Sequence, residues 1–139
     1  MSKFIKLSFL IVFIFLTIGC SSDDSSESNP INPPEWIIGT WQNDVESTFD
    51  NKYIFSVNNI IVESLDGTQV NYSEQIMSPD YDINEITNSN SEYAFKLSYP
   101  TSSTSLSDIN FSFVFISNTQ LIFSRSSSLD FYSSTYTKQ

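Results

Sequence analysis

From Trp36 to the end of the chain, apolar and polar residues alternate with a period of two. Successive side chains of a β-strand point to opposite faces of a sheet, whereas an amphipathic helix needs an apolar period near 3.6. In residues 92–99, four large apolar side chains take one face and mainly polar ones the other. No window after Trp36 sustains the helical period, so the pattern predicts an all-β domain.

Turn-forming residues divide this pattern into short segments. Asn58 and Asn59 suit a tight hairpin, as do Asp66 and Gly67, because Asn, Asp and Gly tolerate turn conformations. Pro100 is expected to end a strand, with a polar loop over 101–107. The only helical turn is predicted near 34–37. The predicted strands are 37–43, 51–57, 60–65, 68–75, 81–87, 92–99, 109–117, 119–125 and 129–138.

Eight to nine short strands joined by tight turns predict a small antiparallel up-and-down β-barrel. Closing the sheet removes exposed strand edges, and no helices are available to cover an open sheet. The aromatic residues, 12 Phe, 7 Tyr and 2 Trp in the whole chain, supply the predicted core. A barrel of this size either fills itself with side chains or holds one small ligand, and both alternatives stay open.

The first 19 residues are typical of a secretory signal peptide. Lys3 and Lys6 precede an apolar run of twelve residues (7–18), which is too short to span a membrane as a helix. Gly19 and then Cys20, the single cysteine of the chain, follow this run. The arrangement resembles the lipobox of bacterial lipoproteins, which implies cleavage before Cys20, lipidation of its sulfur and anchoring to a membrane without a transmembrane helix.

Residues 20–34 are predicted to be a disordered tether, because they are rich in Ser, Asp and Pro and contain one large aliphatic residue, Ile31. The run Ser21–Asp24 resembles the acidic tag that sends some lipoproteins of Gram-negative bacteria to the exterior of the outer membrane. The implied location is the cell envelope, in the outer membrane, and a plain spacer is the alternative. The globular domain is expected to span 35–139.

The mature chain is strongly acidic. Without Lys3 and Lys6 it keeps four basic residues against 16 acidic ones, a net charge of −12. A nucleic-acid-binding surface needs clustered basic residues to neutralise phosphates, so a nucleic-acid partner is excluded. An acidic domain is also repelled by anionic lipid surfaces, which fits a domain held away from the membrane on a tether.

Gly39, Thr40 and Trp41 resemble the Gly-x-Trp motif at the first barrel strand of lipocalins, and the domain resembles the short lipocalin-like domains of bacterial lipoproteins. The resemblance implies a 3₁₀ turn before the motif and a basic side chain over the Trp41 ring. Arg125 is the expected basic residue and Lys138 is the competing one. The Thr-Asp-Tyr triplet of longer lipocalins is missing from this sequence.

Catalytic and metal-binding motifs are scarce. The chain has no histidine, and its cysteine is assigned to lipidation, so nucleophile–base pairs and His/Cys zinc sites are not expected. Three glycines cannot form a phosphate-binding loop. Residues 80–85 begin like a calcium loop, but Glu85 replaces the required glycine, and their alternation favours a solvated strand face over a weak calcium site. We expect no enzyme activity, cofactor or metal.

Two functions remain. The first is a tethered binding module that holds a small apolar or amphipathic ligand inside the barrel, where Tyr hydroxyl groups would add polar contacts. The alternative is an interaction protein with a filled barrel, which contacts another envelope protein through its loops and exposes apolar residues at one barrel end. The candidate ligand-binding residues are Tyr53, Phe55, Tyr72, Tyr81, Tyr93, Phe95 and Tyr99.

Overall fold

The computed structural model describes residues 30–46, 50–102 and 105–139. This part of the chain contains nine strands, a 3₁₀ turn (Glu35–Ile37) and one short helix, α1 (Tyr72–Gln75). The strands are β1 (Gly39–Asn43), β2 (Lys52–Ser56), β3 (Asn59–Glu63), β4 (Gln69–Asn71), β5 (Asp82–Asn88), β6 (Glu92–Ser102), β7 (Ser105–Ser117), β8 (Gln120–Ser126) and β9 (Phe131–Lys138). The predicted leader and Cys20 lie outside the described residues.

All nine strands form one antiparallel sheet in the order β4-β3-β2-β1-β9-β8-β7-β6-β5. Each strand pairs with its neighbours in sequence except β4 with β5, and the first strand pairs with the last, so the sheet curls strongly into a half-barrel. The predicted all-β, up-and-down fold is confirmed. The ladder ends at β4 and β5, which do not pair with each other. We call the gap between them the seam; it exists because β4 gives way to α1 after three residues.

The inner face of the sheet carries the core. Tyr53 and Phe55 on β2, Tyr93 and Phe95 on β6, and Phe113 on β7 point inward and are buried, as the alternation predicts. Their rings meet edge to face or stacked, with the centroids of Phe55 and Phe113 4.9 Å apart. Aromatic contacts of this kind add about 0.5–1.5 kcal/mol per pair to the stabilisation from buried area.

The connections of an up-and-down sheet alternate between two rims. The lower rim carries the β2–β3, β5–β6 and β7–β8 connections, the start of β1 and the end of β9. The upper rim carries the β1–β2, β3–β4, β6–β7 and β8–β9 connections. The described chain enters at the lower rim, where the Asn32 N–H donates to Glu85 Oε1 at 2.8 Å and Asn88 donates to the Asn32 carbonyl.

The lower rim is closed by the two tryptophans. The predicted 3₁₀ turn is present, and the indole N–H of buried Trp41 donates to the Ile37 carbonyl at 2.7 Å. Trp36 packs edge to face on Phe115 and donates to the Ser89 carbonyl. These contacts fix the 3₁₀ turn across the barrel end.

Three local predictions differ from the structure. Ile31, assigned to the tether, is buried in the core, so the packed domain begins before residue 35. Pro100 does not end its strand: β6 and β7 continue past it, because an irregularity in the ladder at 100–102 accommodates a residue without an N–H. Residues 72–75 form α1 rather than strand, because the Asn71 side chain caps the helix by accepting the Ser73 N–H.

Candidate functional site

Five of the predicted ligand-binding residues fill the core instead of lining a cavity. Tyr53, Tyr93 and Phe95 have an exposed fraction of zero, and Phe55 and Tyr72 are also buried. A side chain with no exposed surface adjoins no space large enough for a water molecule. A ligand inside this part of the barrel would therefore have to displace the rings that hold the fold together.

All three tyrosines in this group have a raised pKa; for Tyr53 the causes are burial and then the Asp50 carboxylate. Burial, followed by the nearby Glu85 carboxylate, raises the pKa of Tyr93, and the Tyr93 hydroxyl has no hydrogen-bond partner of good geometry within the described ranges. Burial, with a contribution from Asp50, raises the pKa of Tyr72. All three hydroxyl groups therefore stay protonated at physiological pH.

The remaining two predicted ligand residues lie apart from this cluster. Tyr99 is half-buried on β6 towards the upper rim. Tyr81 is half-buried just before β5 and lines an open cleft at the seam, with a volume of about 730 Å³. The cleft is also lined by Pro30, Ser56, Asn58, Asn59, Ser73, Ile76, Met77, Asp82 and Ile83.

A polar network lies inside the barrel below the upper rim, centred on Asp50. Arg125 Nη1 lies 2.7 Å from Asp50 Oδ2, and the Tyr53 hydroxyl donates to Asp50 Oδ1. Asn43 donates from its side chain to the Asp50 carbonyl, which also accepts the Tyr136 hydroxyl. The network therefore ties the β1–β2 connection to β8 and β9.

Burial raises the pKa of Asp50, and the charge of Arg125 and the hydrogen bond from Tyr53 oppose this shift. The Asp50 side chain is only 8% exposed, so an unpaired carboxylate there would be costly. Burial, followed by Asp50, raises the pKa of Tyr136 above its ordinary value. The positive charge of Arg125 thus offsets the free-energy cost of burying an ionised Asp50.

This arrangement corrects the predicted role of Arg125. Arg125 points into the barrel and pairs with Asp50, so it does not stack on Trp41. Lys138, the competing candidate, covers the indole, with its Nζ 5.1 Å from the ring centroid. The reason is the register, because β9 places Lys138 directly opposite Trp41 on β1.

The upper rim exposes large apolar side chains at each of its hairpin connections. We call this set the apolar rim. Leu129 is 95% exposed and Phe131 69%, and the other members exceed half exposure. Its members are Val45 after β1, Leu65 between β3 and β4, Leu106 at the start of β7, and Leu129 and Phe131 at the β8–β9 connection.

Carboxylates alternate with the apolar rim along the chain. Asp44 and Glu46 flank Val45, Asp66 follows Leu65, and Asp130 lies between Leu129 and Phe131; all four carboxylates are exposed. The backbone N–H of Thr68 lowers the pKa of Asp66, which therefore stays ionised. No described cation lies within ion-pair distance of these four groups.

Every basic residue of the described chain is already engaged. Lys52 pairs with Glu63, Lys96 with Asp108 and Arg125 with Asp50. Lys138 lies over Trp41. The remaining carboxylates of both the upper rim and the seam therefore have no local counter-charge within the described ranges.

The side chains of the acidic run 80–85 point to different sides of β5. Asp82 and Asn84 are exposed on the outer face of β5 and Ile83 is buried, which is the predicted solvated face. Glu85 instead accepts from the Asn32 backbone. No group of three or more metal-binding side chains occurs in the described residues, and no helix among them is long and apolar enough to cross a membrane.

Comparisons with protein-family models, with curated proteins and with solved structures find no match for this chain. The sequence and the geometry above are therefore the basis for any proposed function.

The most informative residues of the upper half were not predicted. Asp50 and Asn43 follow no recognisable motif, and their burial depends on β8 and β9, which are distant in sequence. The apolar rim did have a signal in the sequence: turns are normally polar, so Leu65 before Asp66-Gly67 and Leu129 in a serine-rich turn are exceptions that indicate a contact surface.

Proposed function

We propose that this chain is a lipoprotein of the cell envelope whose lipocalin-like half-barrel binds another envelope protein through the apolar rim. The observation that supports this most directly is the exposure of large apolar side chains at all four upper-rim connections. Exposed apolar groups surrounded by polar ones are typical of protein-binding surfaces. No catalytic role is proposed.

The filled core favours this function over a small ligand held inside the barrel. Tyr53, Tyr93, Phe95, Phe113 and Phe123 have no exposed surface. Rings at this packing density leave no room for a guest without loss of native contacts. The interior therefore stabilises the fold, and a partner would bind to the surface of the domain.

The position of the anchor favours a protein over the anchoring membrane as the partner. Lipidation of Cys20 would attach the chain ahead of Pro30, and the described chain enters the fold at the lower rim. The apolar rim is at the opposite end of the barrel. The carboxylates beside it would also be repelled by anionic headgroups.

The charge of the apolar rim indicates the chemistry of the partner. Four carboxylates without neighbouring cations would repel the same rim of a second copy of this chain. We therefore propose a partner surface with apolar residues surrounded by Lys and Arg. Such a surface would supply both the apolar contact and the missing counter-charges.

Site-specific photo-crosslinking in the native host tests this proposal. A photoreactive amino acid replaces Leu129 in the full chain, and a matched variant carries it at Val57, which is 72% exposed on the lower rim. We expect a discrete product with a second protein from position 129 and none from position 57. Asp66→Lys with Asp130→Lys should reduce the product by about tenfold or more, because like charges across an interface cost several kcal/mol.

Three outcomes would contradict the proposal. They are a product formed only with lipid, a product formed only with a second copy of the chain, and equal products from positions 129 and 57. The anchor is tested separately with Cys20→Ser, which should abolish incorporation of a labelled fatty acid and partition into the detergent phase. A fully lipid-partitioned Cys20→Ser variant would contradict the lipoprotein part of the proposal.

A further inference from the structure

The seam leaves the outer edge of β5 unpaired among the described residues. The sheet stops at β4 on one side and at β5 on the other, and the start of β5, the β2–β3 turn and the α1 region border the cleft of about 730 Å³. β5 is seven residues long and pairs on one side only, with β6. An unpaired edge of this length offers a row of backbone donors and acceptors to another extended chain.

The lower half of the β5 edge is already covered. The Asn32 backbone N–H donates to Glu85, and the Asn88 side chain donates to the Asn32 carbonyl. A register irregularity between Glu85 and Thr87 further disturbs this half of the edge. The upper half, residues 82–84, has no such cover within the described chain, and two of its residues line the cleft.

We propose that the seam is a second binding site, which receives an extended peptide segment of a partner as an added strand beside β5. This site is separate from the apolar rim and does not depend on it. Backbone hydrogen bonds to residues 82–84 would supply the register, and the cleft would supply the contacts to the side chains of the peptide.

The lining of the cleft defines the peptide by chemistry. Ile83 points into the core, so the opposing peptide residue points inward as well and meets the apolar side chains of Ile76 and Met77. Asp82 and Asn84 point outward, so the flanking peptide residues lie beside an unpaired carboxylate. The preferred segment therefore alternates basic and apolar residues. Anionic segments are excluded by the charge of Asp80 and Asp82.

The test uses a defined probe, the fluorescent peptide acetyl-Lys-Val-Lys-Val-Lys-amide, and the lipidated full chain in detergent. Fluorescence anisotropy measures binding, and amide hydrogen exchange locates it. We expect saturable binding with slowed exchange at residues 82–84. A peptide of the same sequence with alternate amides N-methylated should bind at least about tenfold more weakly, because it cannot complete the backbone ladder.

Two protein variants test whether the Asp82 carboxylate contributes to peptide binding. Asp82→Asn should weaken binding of the lysine peptide by about threefold, the size expected for an exposed ion pair. Glu35→Gln is the matched control, because Glu35 is an exposed carboxylate that belongs neither to the cleft nor to the apolar rim, and it should leave the affinity unchanged. Because Asp82 lies outside the apolar rim, failure of this proposal and failure of the rim proposal give different results.

The proposal is overturned by any of four results. The N-methylated peptide binds as tightly as its parent, which would indicate a side-chain pocket for small ligands. The peptide acetyl-Glu-Val-Glu-Val-Glu-amide binds as tightly as the lysine peptide. Slowed exchange falls away from residues 82–84, or no saturable binding is measured.

Discussion

The two ends of the half-barrel are closed by different kinds of side chain. At the lower end, Trp41 is buried, donates to the Ile37 backbone and is covered by Lys138, while Trp36 packs across the opening. At the upper end, a buried ion pair and tyrosine hydroxyl groups occupy the interior, and apolar side chains project outside. The lower end therefore uses its two tryptophans to close the barrel, whereas the upper end exposes a large apolar side chain at every connection.

This difference indicates that the packed rings provide most of the stability, while the upper network positions the apolar rim. Dense ring packing contributes most of the stabilisation, because it removes large apolar areas from water. A buried ion pair contributes little net stability but fixes the positions of the groups it joins. The Asp50–Arg125 pair connects the base of the β1–β2 connection to β8, so it holds part of the apolar rim in place at a small net gain in stability.

The largest expected effect comes from the same substitution made in the core and on the upper rim. Phe113→Ala removes a fully buried ring and should lower the free energy of unfolding by about 4 kcal/mol. Phe131→Ala removes a ring that is 69% exposed and should change it by less than about 0.5 kcal/mol. Urea unfolding monitored by circular dichroism measures both. Similar losses for the two variants would show that the core and the apolar rim contribute equally to the free energy of unfolding, which would contradict this comparison.

Removing the cation of the upper network should have a large, pH-dependent effect. Arg125→Met leaves Asp50 without its counter-charge and should cost about 3 kcal/mol at pH 7, the lower end of the range for broken buried pairs, since the Arg125 side chain is 28% exposed. Burial already raises the pKa of Asp50 in the folded state, and the variant raises it further. The folded state then binds more protons than the unfolded state, so stability falls as pH rises above about 4.

Urea unfolding at several pH values between 4 and 8 measures this effect. The deficit of Arg125→Met relative to the wild type should be small near pH 4 and grow towards pH 7. Lys96→Met is the matched control, because the Lys96–Asp108 pair is exposed, and it should cost less than about 0.5 kcal/mol at every pH. A deficit of Arg125→Met that does not depend on pH would show that Asp50 is not the group responsible.

A smaller effect is expected at the glycine that starts β1. Gly39 has a φ of +129°, and an added Cβ would lie 2.8 Å from Lys138 Cε. Gly39→Ala should therefore lower the unfolding free energy by about 2 kcal/mol, from backbone strain and from displacement of the lysine. Gly67→Ala is the matched control for the backbone term, because Gly67 also has positive φ but no neighbour within 4 Å. Equal losses at the two positions would mean that the contact with Lys138 contributes nothing.

The smallest expected effect concerns the cation over Trp41. Lys138→Met keeps an apolar chain against the ring but removes the charge, and it should cost about 0.5–1 kcal/mol. In a Gly39→Ala background the same change should cost less, because the added methyl group already displaces the lysine. A double-mutant cycle from urea unfolding measures this coupling. Strictly additive losses would contradict the close packing of the two residues.

The strands could be predicted because their signal is local. All nine observed strands overlap the predicted ones, and the inward positions on β6 and β7 follow directly from the alternation. Helix α1 also had a local signal: Asn71 and Glu74 stand in the positions of a helix cap and its partner, and the two side chains bond to each other. The period-two alternation of the neighbouring residues favoured a strand for this segment instead.

The candidate sites were harder to predict because they depend on pairs that are far apart in sequence. Arg125 and Lys138 are both plausible partners for Trp41 until the β1–β9 register is known. Likewise, the position of Asp50 in the interior depends on Arg125, 75 residues later. The open seam follows from the early end of β4 at Asn71, and its extent depends on where β5 lies. Periodicity determines which way a side chain points but not which strand it meets.

The pairing of β1 with β9 has a consequence for the order of folding. Asn43 and Tyr136 meet across this ladder although they are 93 residues apart in the chain. Adjacent hairpins such as β6–β7 can form early, but this ladder closes a loop that spans most of the domain, and such closure is entropically costly and slow. A chain released vectorially, amino terminus first, could pair β1 with β2 at once, but the other edge of β1 would stay unpaired until β9 emerged. β9 thus completes the sheet on the free side of β1, and shortening β9 should leave a loosely packed, protease-sensitive chain rather than a slightly smaller barrel.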